Sequence, residues 1–98
     1  MNLRKNIALY LNFCLEQKTL SSKTTKAYGT DLTQFAEFSA GTFDKNVIID
    51  YIAHLHKQFK PKTSKRKIAS LKAFSHYLMT QEIIETNPFD KIDTSFRE

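Results

Sequence analysis

Seven of the fifteen basic side chains fall between positions 57 and 72: Lys57, Lys60, Lys62, Lys65, Arg66, Lys67 and Lys72. No Asp or Glu occurs from Tyr51 to Gln81, so this cationic run is not internally neutralised along the chain. Ammonium and guanidinium groups clustered in this way suit one chemistry above others, the displacement of condensed counterions from a phosphate backbone. A second basic stretch, rich in hydroxyls, carries Lys23, Thr24, Lys26, Thr30 and Thr33. The signatures of catalysis and metal binding are weaker. Cys14 is the sole cysteine, which excludes an internal disulfide and a cysteine metal cluster; it reads as a buried, inert thiol. His54, His56 and His76 lack the spacing and partners of a metal site. Tyr10, Tyr28, Tyr51 and Tyr77 lie on or beside apolar stripes, where an aromatic is read as core and not as a nucleophile. No catalytic residue, metal or cofactor is expected.

The basic residues need a scaffold, and composition points to helices. Ninety-eight residues with 41% apolar and 26% charged content suit one domain with one core. Two glycines and two prolines leave few turns for a β fold. The net charge of +5 and a pI of about 9.4 favour a polyanionic partner. No apolar run approaches the roughly 18 residues of a membrane span, and the start of the chain does not read as a signal peptide. A soluble, cytoplasmic protein with no membrane partner is the expectation.

Four amphipathic segments follow from apolar residues at helical spacing. The first, about residues 2 to 18, carries Leu3, Ile7, Tyr10, Leu11, Cys14 and Leu15. The second begins after Leu20, capped by Ser21 or Ser22, and presents Tyr28, Leu32, Phe35 and Phe38 before ending near Ser39 ahead of Gly41. Asp44 caps a third with Ile48, Tyr51, Ile52, Leu55 and, at its end, Phe59. The fourth starts around Pro61, a residue suited to the first helical position, and buries Ile68, Leu71, Phe74 and Leu78. Short connections make successive helices neighbours and predict a four-helix bundle. Residues 83 to 89 read as a turn that packs back on the bundle, and the tail from Lys91 to Glu98 as loose.

Turning the fourth helix by about 100° per residue sets Lys62, Lys65, Arg66, Ala69, Lys72 and His76 opposite its core stripe. On the second helix, Lys23, Lys26, Thr30 and Thr33 lie away from Tyr28, Leu32 and Phe35. Two helices can therefore present one basic surface to duplex DNA, with Arg66 the best placed to bond the O6 and N7 of guanine and Ala69 to meet a thymine methyl. The hydroxyls of Thr24 and Thr63 have a second reading, as partners of the first-turn backbone. A basic helix face also suits an acidic protein partner, so a protein-interaction module stands as the alternative. A helix-turn-helix regulator fits less well, since a whole helix separates the two basic ones.

Leu20, Ser21, Thr24, Tyr28, Asp31, Leu32 and Phe35 resemble the pattern Leu-Ser-x-x-Thr-x-x-x-Tyr-x-x-Asp-Leu-x-x-Phe of the core-binding domain of tyrosine recombinases, or phage integrases. The run from Lys62 to Leu78 looks like that domain's fourth helix, and Asn87-Pro88 like its closing dipeptide. The resemblance, from about residue 3 to residue 92, implies an all-α, SAM-like four-helix bundle in a single domain spanning 1–98. Such a domain forms one jaw of a clamp on a recombination half-site. It implies double-stranded DNA as partner, with other recombinase protomers joining in a full-length protein. It places Lys23, Thr24 and Lys26 of the second helix, and Lys62, Thr63, Arg66, Lys67 and Ser70 of the fourth, at DNA; Lys65 joins them on helical geometry. The family's catalytic Arg, Lys, His and nucleophilic Tyr constellation has no counterpart in these residues, so strand cleavage is not expected of this chain alone.

Overall fold

A computed structural model of the chain describes residues 1–92; of the tail expected to be loose from Lys91 to Glu98, residues 93–98 lie outside them, while Ile92 packs against the core. Four helices follow in order: α1 (Leu3–Glu16), α2 (Ser22–Ser39), α3 (Lys45–Gln58) and α4 (Pro61–Thr80). Their starts are set by short polar side chains at the expected places. Ser21 Oγ accepts from Thr24 N at 3.1 Å and Asp44 Oδ1 from Val47 N at 2.9 Å, while Asn2 Oδ1 accepts from Lys5 N at 3.0 Å. Each satisfies one of the amides that a helix leaves unpaired in its first turn. Helix α4 differs, opening on Pro61 with no side-chain cap from Lys60.

Apolar stripes from all four helices meet in one core. Tyr10 is its hub, with ring centroids 5.5 Å from Phe74, 5.0 Å from Tyr77 and 6.4 Å from Tyr28, so α1, α2 and α4 share one aromatic contact. A second chain of rings runs from Tyr51 through Phe35 and Phe43 to Phe74, tying α3 to α4. Leu32, Ile48, Leu55, Leu71, Leu78 and Cys14 fill the space between. Gly29 lets α1 approach α2 closely, since a Cβ there would stand 3.2 Å from Leu11 Cδ1. Ser64 Oγ donates to the Leu55 carbonyl at 3.2 Å and locks the start of α4 against the end of α3. After α4 the chain folds back: Ser75 Oγ donates to Asn87 Oδ1 at 2.8 Å, Phe89 N donates to the same oxygen at 2.9 Å, and Phe89 is buried.

Three residues expected in the core are not there. Leu15, Phe38 and Phe59 are 45%, 42% and 38% exposed. Each stands at the edge of its stripe: α1 ends one residue after Leu15, Phe38 flanks the core positions Phe35 and Ser39, and Phe59 has left the helix for an extended backbone. Helix α2 ends at Ser39, as its spacing from Gly41 predicts. Ala40 takes the left-handed conformation (φ 52°), and Gly41 follows at φ 85°. An alanine in that region carries a steric penalty that glycine lacks. Ala40→Gly is therefore expected to stabilise the fold by about 0.5–1 kcal/mol, read as a higher urea midpoint. Phe74→Ala, removing the ring shared by both aromatic chains, is expected to cost about 3–5 kcal/mol in the same measurement.

Candidate nucleic-acid interface

Helices α2 and α4 pack against each other, and a buried carboxylate joins them. Asp31, in the middle of α2, is 1% exposed. Its Oδ2 accepts from Arg66 Nη1 at 2.6 Å and from Ser70 Oγ at 2.8 Å; its Oδ1 accepts from Lys67 Nζ at 3.2 Å. All three donors come from consecutive turns of α4, so this one acid fastens two helices whose contacting residues are 35 to 39 positions apart. Lys67 Nζ also donates to Gln34 Oε1 and lies 5.0 Å from the centroid of the Phe59 ring. A buried ammonium is tolerable only with such compensation.

The nine residues expected at DNA divide into two sets. Lys23, Thr24, Lys26, Lys62, Lys65 and Arg66 are exposed, and Thr63 is half-buried. Lys67 and Ser70 are 4% and 2% exposed, and their polar atoms are engaged by Asp31. The expectation that these two face DNA is corrected: they belong to the support beneath the surface. Their burial was legible in principle. Lys67 precedes Leu71 by four residues and Phe74 by seven, which puts it on the core stripe of α4. Asp31 likewise precedes Phe35 by four on the core side of α2 and must find partners there, but nothing local says which. The Thr24 hydroxyl is in contact with the cap, receiving the Ser21 hydroxyl at 3.0 Å.

One carboxylate against two cations leaves the cluster with a net positive charge. Asp31 is also the only acid between Glu16 and Glu37, and the chain has none from Tyr51 to Gln81. The exposed parts of α2 up to Gln34 and of α4 therefore carry cations and hydroxyls without a surface carboxylate. Ala27 and Ala69, both exposed, keep the surface low beside Arg66.

Elsewhere the molecule offers little for catalysis. A groove of about 660 Å³ between α1 and α2 is lined by Leu11, Leu15, Thr25 and Gly29, with Lys26 its sole titratable residue. His54 packs against the rings of Phe38 and Tyr51, and no group of His, Cys, Asp and Glu among the described residues could hold a metal ion. Burial pushes the Tyr10 hydroxyl well above its ordinary range. Tyr51 is pushed up to about 12, by burial first and by the Asp31 charge second.

Two expectations follow. Asp31→Ala would leave Lys67 buried without its counter-charge and cost about 3–5 kcal/mol; Lys67→Met would cost less, because Asp31 keeps Arg66 and Ser70, and urea unfolding ranks the two. Tyr51 has a folded value above the unfolded 10, so its contribution to stability is full below pH 10 and is lost as pH rises towards 12. In Asp31→Asn, the phenolate absorbance assigned to Tyr51 by a Tyr51→Phe control titrates at lower pH than in the unmodified protein, yet still above 10, since burial remains.

Comparison with known proteins agrees with this architecture. Residues 7–82 match the family described as phage integrase, N-terminal SAM-like domain. A tyrosine recombinase of Agathobacter rectalis is 50% identical over 101 residues, covering 99% of this chain and 33% of that protein. Tyrosine recombinase XerD of Listeria innocua is 34% identical over 87% of this chain and 32% of its own length. Tyrosine recombinase XerC of Staphylococcus haemolyticus is 33% identical over 82% of this chain and 29% of its own. The chain thus spans about a third of the length of these relatives. No solved structure gives a significant match. The family match covers a domain distinct from the catalytic one and takes in all of α2, α3 and α4: the chain belongs to the phage integrase N-terminal SAM-like domain family.

Proposed function

We propose that this chain binds duplex DNA, as the N-terminal jaw with which a site-specific tyrosine recombinase grips a recombination half-site. The observation that carries the proposal is the cationic surface shared by α2 up to Gln34 and by α4, where the one carboxylate among those residues, Asp31, is buried and paired. Duplex DNA rewards such a surface twice. Exposed Lys23, Lys26, Lys62 and Lys65 displace counterions from phosphates. The start of α4, where Pro61 occupies the first position and no side chain caps the next amides, adds the partial positive charge of a helix N-terminus. Catalysis, and assembly with further protomers on paired sites, would belong to the longer protein of which such a jaw is part. No described helix is long and apolar enough to cross a membrane, and the reading places the protein with the chromosome in the cytoplasm.

The jaw alone lacks the gain in effective concentration that a second DNA-binding jaw provides, so modest, salt-sensitive affinity is expected. Fluorescence anisotropy of a labelled duplex across a salt series tests this. Lys23→Ala with Lys62→Ala should flatten the dependence of log K on log salt by about 1.8, two phosphate contacts at roughly 0.9 each. Absence of binding at low salt, or indifference between DNA and heparin, would turn the reading towards an acidic protein partner.

A further inference from the structure

Arg66 does not resemble its basic neighbours, and the difference bears on what it would do at DNA. Its guanidinium is half-exposed, at 52%, yet one end is fixed: Nη1 donates at 2.6 Å to a carboxylate oxygen that is itself 1% exposed. That carboxylate cannot swing, because Ser70 bonds the same oxygen and Lys67 the other. A guanidinium has five N–H donors in a rigid plane, and one is used here. The rest form a planar fork held in a set direction at the surface where α2 and α4 meet.

Pairing with Asp31 has a second effect. Asp31 divides its single negative charge between Arg66 and Lys67, so the charge of Arg66 is only partly offset and its counterion displacement is reduced, whereas its directional donors remain. Phosphate binding rewards charge; guanine, with its O6 and N7 acceptors in the major groove, rewards a planar fork in the right orientation. Small exposed residues on both sides, Ala27 on α2 and Ala69 on α4, leave room for base edges to approach the fork.

From this geometry we infer that Arg66 reads a guanine and that Asp31 is its positioning residue, setting sequence preference from beneath the surface without touching DNA. The inference rests on the DNA-binding reading. It separates Arg66 from Lys62 one turn earlier, which acts on phosphate alone.

The test begins with selection of duplexes from a randomised library by the 98-residue chain. The selected duplex is then measured with guanine and with 7-deazaguanine, which lacks the N7 acceptor. The unmodified protein should lose affinity by about tenfold on the substitution. Asp31→Asn and Arg66→Lys should bind both duplexes alike, and Arg66→Lys should keep the salt dependence nearly unchanged. The ratio between two duplexes is insensitive to the fraction of protein folded, so mere destabilisation by Asp31→Asn does not mimic the effect. Should Asp31→Asn fail to fold, nitrogen relaxation of the Arg66 side chain in the free, unmodified protein decides. An order parameter near the rigid-backbone value of about 0.85 is expected, and one below about 0.6 overturns the inference. Sequence preference that survives in Asp31→Asn, or indifference of the unmodified protein to 7-deazaguanine, also overturns it while DNA binding stands. Failure of the unmodified protein to bind any duplex removes both readings.

Discussion

A single buried carboxylate organises the surface of this domain. Asp31 accepts from Arg66, Lys67 and Ser70, three donors on one face of α4, at a point where the apolar core gives way to solvent. Burying an ion pair contributes little net stability compared with an apolar pair of the same shape. What it supplies is register. Hydrocarbon contacts between α2 and α4 tolerate small slides, whereas three hydrogen bonds to one carboxylate fix how far along each other the helices sit. The basic residues on the outer faces inherit that alignment, so Lys23 on α2 and Lys62 on α4 are held in a set relation.

The same arrangement keeps core and interface separate within a few ångströms. Below Asp31 lie Phe35, Leu71 and Phe74, shielded from water; above it Arg66 reaches solvent. Lys67 crosses between the two environments, its ammonium held by Asp31 and Gln34 and lying beside the Phe59 ring. Cations in the sequence run of α4 therefore do different work. Lys62 extends into solvent, Arg66 is tethered, and Lys67 is structural. Net charge alone does not distinguish them, and only burial and partners do.

Most of the scaffold was legible in the sequence because it rests on local chemistry. Ser21, Asp44 and Pro61 mark helix starts through hydrogen bonds or ring geometry within three residues, and Ile68, Leu71, Phe74 and Leu78 mark a core face through spacing alone. The exposed set Lys23, Lys26, Lys62, Lys65 and Arg66 followed from the same helical rotation, and Thr24 from the family resemblance. Lys67 and Ser70 were placed at DNA by the resemblance and not by rotation: both stand on the inner side of α4, where a charge or hydroxyl implies a hidden partner. The partner lies 36 to 39 residues away on α2, a separation that no local pattern encodes.

The central claim is that the junction of α2 and α4 is the face that meets DNA. Titrating a short duplex into the isotopically labelled chain and following backbone amide shifts tests it most directly. The account predicts changes concentrated at Lys23, Ala27, Thr30, Lys62 and Ala69, fading with added salt. Shifts centred instead on the far faces, around Leu9 of α1 or Ile49 of α3, would contradict it.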